Sequence, residues 1–193
     1  MSRLSKLFAA GLTLGLGSFL LSAPVAYGQL NSNSATVALT ANLAESLTIS
    51  ATPGTATFTL VPLGTSNSQT VAITQTWALQ SSRAHVTLTG WFATAGQALT
   101  NGATTPSYIP SSAVLGQVTT GSPTTYTAFT QTTTSPALGV SGASLVLTST
   151  PITSSNYSFS RTDNLNLEIN LTGVNTVPAG TYTGTLNLQA QAL

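Results

Sequence analysis

Hydrophobic and polar residues alternate over a long stretch near the start of the chain, from Ala35 to Ser50. Val37, Leu39, Ala41, Leu43, Leu47 and Ile49 fall on odd positions, and mostly polar residues fall on the even ones. A strand turns successive side chains to opposite faces, so this period predicts a β-strand with one apolar face. The run is longer than an ordinary strand of about five or six residues. Glu45 interrupts its apolar side. Two readings fit. In one, a continuous strand switches between sheets with Glu45 at a bulge, and its apolar residues enter the chain's own core. In the other, residues 35–43 are a donor strand for another subunit, and Leu47 to Ser50 begin the chain's own first strand. Val37, Leu39, Ala41 and Leu43 are then the assembly residues.

The same alternation recurs downstream. Ala56, Phe58 and Leu60 alternate with Thr55, Thr57 and Thr59, after a turn signal at Thr52-Pro53-Gly54. Val71, Ile73 and Trp77 share a phase in which Gln75 is the polar exception. Val86, Leu88 and Phe92 form the next inward set, with Gly90 marking a bulge or a close approach. The pattern then fails from Ala93 to Ser112, a long excursion of the kind that carries binding surfaces on a rigid scaffold. Shorter strands are predicted at Ala113 to Val118 and Thr125 to Thr130. Three clear alternating sets close the chain, around Ala143 to Leu147, Leu165 to Leu171 and Thr185 to Ala192. The last is a natural partner for the first. Helix-favouring Lys, Glu, Arg and Met are nearly absent, while Thr, Val, Ser and Gly dominate. The expectation is all-β: one antiparallel sandwich of about eight to ten strands.

Residues 1–28 stand apart. Arg3 and Lys6 precede the apolar run Leu7 to Leu21, and small residues follow in Ser22 to Gly28. That layout predicts a secretory signal peptide cut before Gln29, leaving residues 29–193 as one domain; membrane contact is then confined to export. Cleavage changes the charge. Arg83 and Arg161 remain against Glu45, Asp163 and Glu168, a formal net charge of −1. No basic stripe exists for nucleic acid. With 4% charged residues the surface repels its neighbours weakly, which favours association. The chain has no cysteine, so thiolate, redox and cysteine-based zinc chemistry are excluded. At about 165 residues the domain is long enough to build a core without disulfides.

The ending Val177 to Leu193, VPAGTYTGTLNLQAQAL, resembles the last strand of secreted bacterial immunoglobulin-like surface proteins, including fimbrial and pilus-type subunits and spore-coat-U-like proteins. The opening ATVALTANLAESLTISATPG resembles their first strand. The chain differs from many chaperone–usher subunits in having no cysteine. The resemblance covers the two ends only. It implies an immunoglobulin-like fold and a structural role in a surface appendage or matrix, with strand exchange between subunits.

Candidate chemistry is sparse. One histidine, His85, and one aspartate, Asp163, are the only conceivable base and orienter of a hydrolase, and no Gly-x-Ser-x-Gly elbow accompanies them. His85 beside Arg83 reads as a turn or surface histidine. Asp163 in Arg161-Thr162-Asp163 reads as a turn-like ion pair, and Glu168 faces the polar side of its strand. Three scattered carboxylates make neither a calcium site nor a glycosidase pair. The expectation is therefore a non-enzyme without metal or cofactor. Trp77 is in phase with the core. Trp91 is out of phase with Val86, Leu88 and Phe92, and lies beside the excursion that holds Tyr108. Together Trp91 and Tyr108 are candidate contacts for a polysaccharide or another partner. The leading expectation is a secreted or cell-surface structural subunit that self-associates by β-strand addition. The alternative is a monomeric carbohydrate- or partner-binding module using Trp91 and residues 93–112.

Overall fold

The computed structural model describes residues 32–132 and 138–193. The expected signal peptide and its cleavage site lie outside the described residues. The chain divides into two units, Met1–Ala41 and Asn42–Leu193. In the first, the described residues 32–41 form no regular secondary structure and are exposed.

Among its described residues the second unit is all-β apart from one 3-10 turn, Ser111–Ala113, and the strand pairs are antiparallel. Its strands are β1 (Ser46–Thr52), β2 (Thr65–Asn67), β3 (Val71–Ala78), β4 (His85–Trp91), β5 (Leu99–Thr100), β6 (Tyr108–Ile109), β7 (Val114–Val118), β8 (Thr127–Ala128), β9 (Ser144–Pro151), β10 (Ser158–Asn170) and β11 (Asn187–Ala192). One sheet runs β1-β3-β10-β7-β8, with β2 also paired to β10. A second runs β11-β4-β9, and β5 pairs with β6 alone. The two larger sheets share one core. Ile73, Leu165 and Ile169 come from the first, and Leu88, Leu145 and Leu147 from the second. All are inward members of period-two runs, so burying one face of each sheet fixes the register.

Several boundaries differ from those the alternation predicts. β1 begins at Ser46, so Ala35 to Glu45 belongs to no strand. A period of two marks residues suited to a strand, but hydrogen-bonded partners decide which become one. Within the described residues the first alternative for residues 35–43 is not realised: there is no sheet switch and no bulge at Glu45. β1 and β11 form no ladder with each other. β1 pairs with β3 and β11 with β4, and each lies at an edge of its sheet. The strand carrying Leu165 is longer than expected. β10 spans 13 residues and includes Arg161 and Asp163, which the sequence placed in a turn. Its hydrophilic first half is held by β3, which pairs Ser160 with Thr76 and Thr162 with Thr74.

Gly90 marks a close approach. A Cβ there would lie 3.1 Å from Phe129 and 3.3 Å from both Leu147 and Leu188. The register shift sits one step earlier, between Leu88 and Thr89. Gln75 is fully buried, and its amide donates to Thr148 Oγ1 at 3.4 Å. Asp163 is 1% exposed and accepts from Arg161 Nε and Nη2, both at 2.7 Å, and from Thr120 Oγ1 at 2.8 Å. The carboxylate beside it holds the Arg161 guanidinium above its ordinary pKa.

Candidate functional site: an open groove at the sheet edge

β1 leaves its ladder at the Thr52–Ala72 pair, where Pro53 and Gly54 follow. Proline has no N–H to donate, so the ladder cannot continue through it. Residues 55–60 then run on with the expected alternation: Ala56, Phe58 and Leu60 are half-buried, and Thr55, Thr57 and Thr59 are exposed. The sequence predicts a regular strand here. Instead residues 55–60 make no backbone–backbone hydrogen bond among the described residues. Side chains hold them in place. Gln69 Nε2 donates to the Thr55 carbonyl at 3.2 Å, Thr57 Oγ1 donates to Gln69 Oε1 at 3.2 Å, and Val61 N donates to Ser66 Oγ at 3.0 Å.

The approach to β11 has the same character. Thr183 exchanges backbone hydrogen bonds with Thr100, both at 2.9 Å, and the Tyr182 hydroxyl donates to the Pro178 carbonyl at 2.9 Å. The ladder to β4 begins only at Asn187, so residues 184–186 have no backbone partner among the described residues. Gly184 lies against the Ala98 carbonyl, which leaves no room for a Cβ.

Between these two flanks lies a groove of about 800 Å³. Its walls come from Ala51 to Leu60 and from Gly180 to Leu188. Its floor is the core itself: Val71, Phe92, Val114, Leu165, Leu167 and Ile169. No lining residue carries a charge, and Tyr182 is the only titratable one. The described lining of the groove holds Thr and Tyr hydroxyls but no carboxylate, imidazole, amine or guanidinium. It can take an apolar face into the core, and it offers unpaired backbone groups on both sides to a chain laid along it.

The assembly residues named from sequence are exposed. Val37 is 81% accessible, Leu39 91% and Leu43 81%, and Ala41 is also exposed. Burial of apolar surface drives folding and association, so an alternating apolar set left in water is unusual. Glu45 follows directly. It accepts from Arg83 Nη2 at 2.8 Å, Arg83 Nε at 3.1 Å and the Gln80 backbone N–H at 2.9 Å. Those bonds hold its carboxyl down to about 2. Arg83 also donates to the Ala192 carbonyl at 3.5 Å, so the clamp ties the start of β1 to the end of β11.

Trp91 ends β4 half-buried, and Asn187 Nδ2 donates to its carbonyl at 3.4 Å. Tyr108 lies in β6, paired with Thr100. The two rings form no pair. The aromatic pairs among the described residues are Trp77 with Phe159, at 5.7 Å between centroids, and Phe92 with Phe129, at 5.3 Å. His85 begins β4, exposed, and its backbone N–H donates to the Leu193 carbonyl at 3.3 Å. Asp163 is bonded to Arg161 and Thr120, and no bond joins it to His85. Among the described residues no three His, Asp or Glu side chains gather as a metal site, and no helix is long and apolar enough to cross a membrane. The groove was not legible in the sequence. Its only signals were the turn residues Pro53-Gly54 and Pro178-Ala179-Gly180.

No family model, curated protein or solved structure matches this chain.

Proposed function

We propose that this chain is a secreted structural subunit that assembles into surface or matrix polymers by β-strand addition, on an immunoglobulin-like sandwich. The observation that carries this reading is the groove between residues 51–60 and 180–188, in the same molecule as an exposed alternating segment. An open sheet edge seeks a strand, and an alternating segment seeks a face to bury. The near absence of charge fits it, because little repulsion opposes close packing of copies. The sparse ionisable groups and the uncharged groove speak for a structural role rather than catalysis. The resemblance of the two chain ends to secreted fimbrial-type and spore-coat-U-like proteins points the same way, as does the apolar leader in residues 1–28.

The test is the size distribution of the secreted protein, by light scattering and negative-stain electron microscopy. The mature chain should form multimers or filaments. Deleting residues 29–43 should leave a species that does not polymerise. Undiminished polymers from the shortened chain would rule out strand addition through this segment.

A further inference from the structure

We infer that Asn101 is a self-modification site: its carboxamide closes onto the Gly102 backbone nitrogen as a succinimide, loses ammonia, and hydrolyses to aspartate and isoaspartate. The inference does not depend on strand addition. It starts from the excursion after β4, whose middle is a hairpin of β5 and β6 joined by residues 101–107. Asn101-Gly102 is the one Asn-Gly pair in the chain. Glycine has no side chain to shield its nitrogen from the carboxamide before it. At Gly102 φ is +64°, a conformation that residues with a Cβ rarely adopt. A Cβ there would meet nothing within 4 Å, so neighbouring groups do not crowd the approach. Asn164 and Asn166 offer a contrast: each precedes a leucine inside β10, where the ladders to β3 and β7 fix the backbone.

The turn supplies what the attack needs. Asn101 Oδ1 accepts from two backbone N–H groups, Ala103 at 3.3 Å and Ser107 at 2.9 Å. The first of these bonds folds the carboxamide back over its own following peptide. Both donors point at the oxygen on which negative charge grows when Cγ becomes tetrahedral, and donors so placed stabilise an oxyanion. The Gly102 N–H in turn donates to Thr100 Oγ1 at 3.3 Å. That hydroxyl draws on the proton that must leave as the nitrogen attacks, and water can take it up because Gly102 is exposed. The N–Cγ bond forms, the Cγ–Nδ2 bond breaks, and Nδ2 leaves as ammonia with the proton lost from Gly102. Water then adds to either carbonyl of the imide, giving aspartate or isoaspartate. The step adds one negative charge to a chain whose acids are Glu45, Asp163 and Glu168. The charge arises beside a groove wall: a Cβ on Gly180 would lie 3.9 Å from Asn101 Cβ, and the adjacent Thr100 holds Thr183. The isoaspartyl form also routes the backbone through the former side chain, which breaks the turn that Asn101 N closes on the Ser107 carbonyl.

The test incubates the full chain in heavy-oxygen water at neutral and mildly alkaline pH and maps its peptides by mass spectrometry. Heavy oxygen should enter at position 101 ahead of every other asparagine. Isoaspartate should appear beside aspartate, since only an imide opens to both. Thr100→Val keeps the branched shape and the backbone pairs and removes the acceptor hydroxyl. Losing one hydrogen bond of about 1 kcal/mol corresponds to roughly fivefold slower conversion. Gly102→Ala should slow it further, by crowding the nitrogen. Alanine is strained at that φ, so if that variant misfolds, Thr100→Val with an unchanged Tm decides the matter. The native chain should also convert faster than the same chain in urea, where the turn is lost. No heavy oxygen at position 101, aspartate as the sole product, an unchanged rate in Thr100→Val, or faster conversion in urea would each overturn the inference.

Discussion

Replacing Arg161 by methionine strands a buried carboxylate. Asp163 is 1% exposed and has three bonds, two of them from Arg161 at 2.7 Å and one from Thr120 Oγ1 at 2.8 Å. The Arg161 side chain is itself 25% exposed, and its guanidinium also donates to Thr150 Oγ1 and the Thr120 carbonyl. Methionine keeps the apolar stem and removes every donor. Taking one partner from a buried ion pair costs about 3–5 kcal/mol, because the remaining charge has been desolvated without compensation. For a domain of this size each kcal/mol lowers Tm by about 2–4 °C, so the loss should be roughly 6–20 °C. The double substitution Arg161→Met with Asp163→Leu removes both charges, and should recover most of the loss. Urea denaturation of the wild type, both single variants and the double variant gives the coupling directly, with the combined fluorescence of Trp77 and Trp91 as the probe. A loss below about 1 kcal/mol for Arg161→Met, or simple additivity in the cycle, would refute the claim that Asp163 depends on this pair.

Two further outcomes follow from the walls of the groove and the clamp at its far end. Gly184→Ala forces a Cβ against the Ala98 carbonyl, a backbone atom that cannot swing aside, and should cost about 1–3 kcal/mol in thermal or urea unfolding; an unchanged midpoint would mean that the wall is freer than its contacts indicate. Glu45 has its folded pKa lowered from 4.5 to about 2, so its bonds to Arg83 and Gln80 stabilise the fold above pH 4.5 and are lost as pH falls toward 2. The pair is exposed and its contribution small, yet Tm curves for wild type and Glu45→Gln should differ above pH 4.5 and converge toward pH 2. Parallel curves across that range would remove Glu45 as the titrating group.

The sequence by itself determined class and facing. Period-two alternation, the scarcity of helix formers and frequent turn residues specify an all-β chain, and the inward set at Val71, Ile73, Trp77, Val86, Leu88, Leu165 and Leu167 is the core that forms. These features are local: each depends on a residue and its neighbours two positions away. The absence of cysteine and the low charge were equally plain.

What only the tertiary structure decided was pairing. Residues 35–43 and 55–60 alternate as cleanly as β3, yet neither enters a ladder, because a strand needs a partner backbone as well as a suitable face. Residues 158–164 lack an apolar pattern and still form half of β10, because β3 lies alongside to accept their bonds. Asp163 reads as a turn residue until Arg161 and Thr120 close on it. The groove is the clearest case. It exists because two segments far apart in sequence, after Pro53 and before Asn187, leave a space between them above the core. No local pattern encodes the space between two segments; only their relative placement creates it.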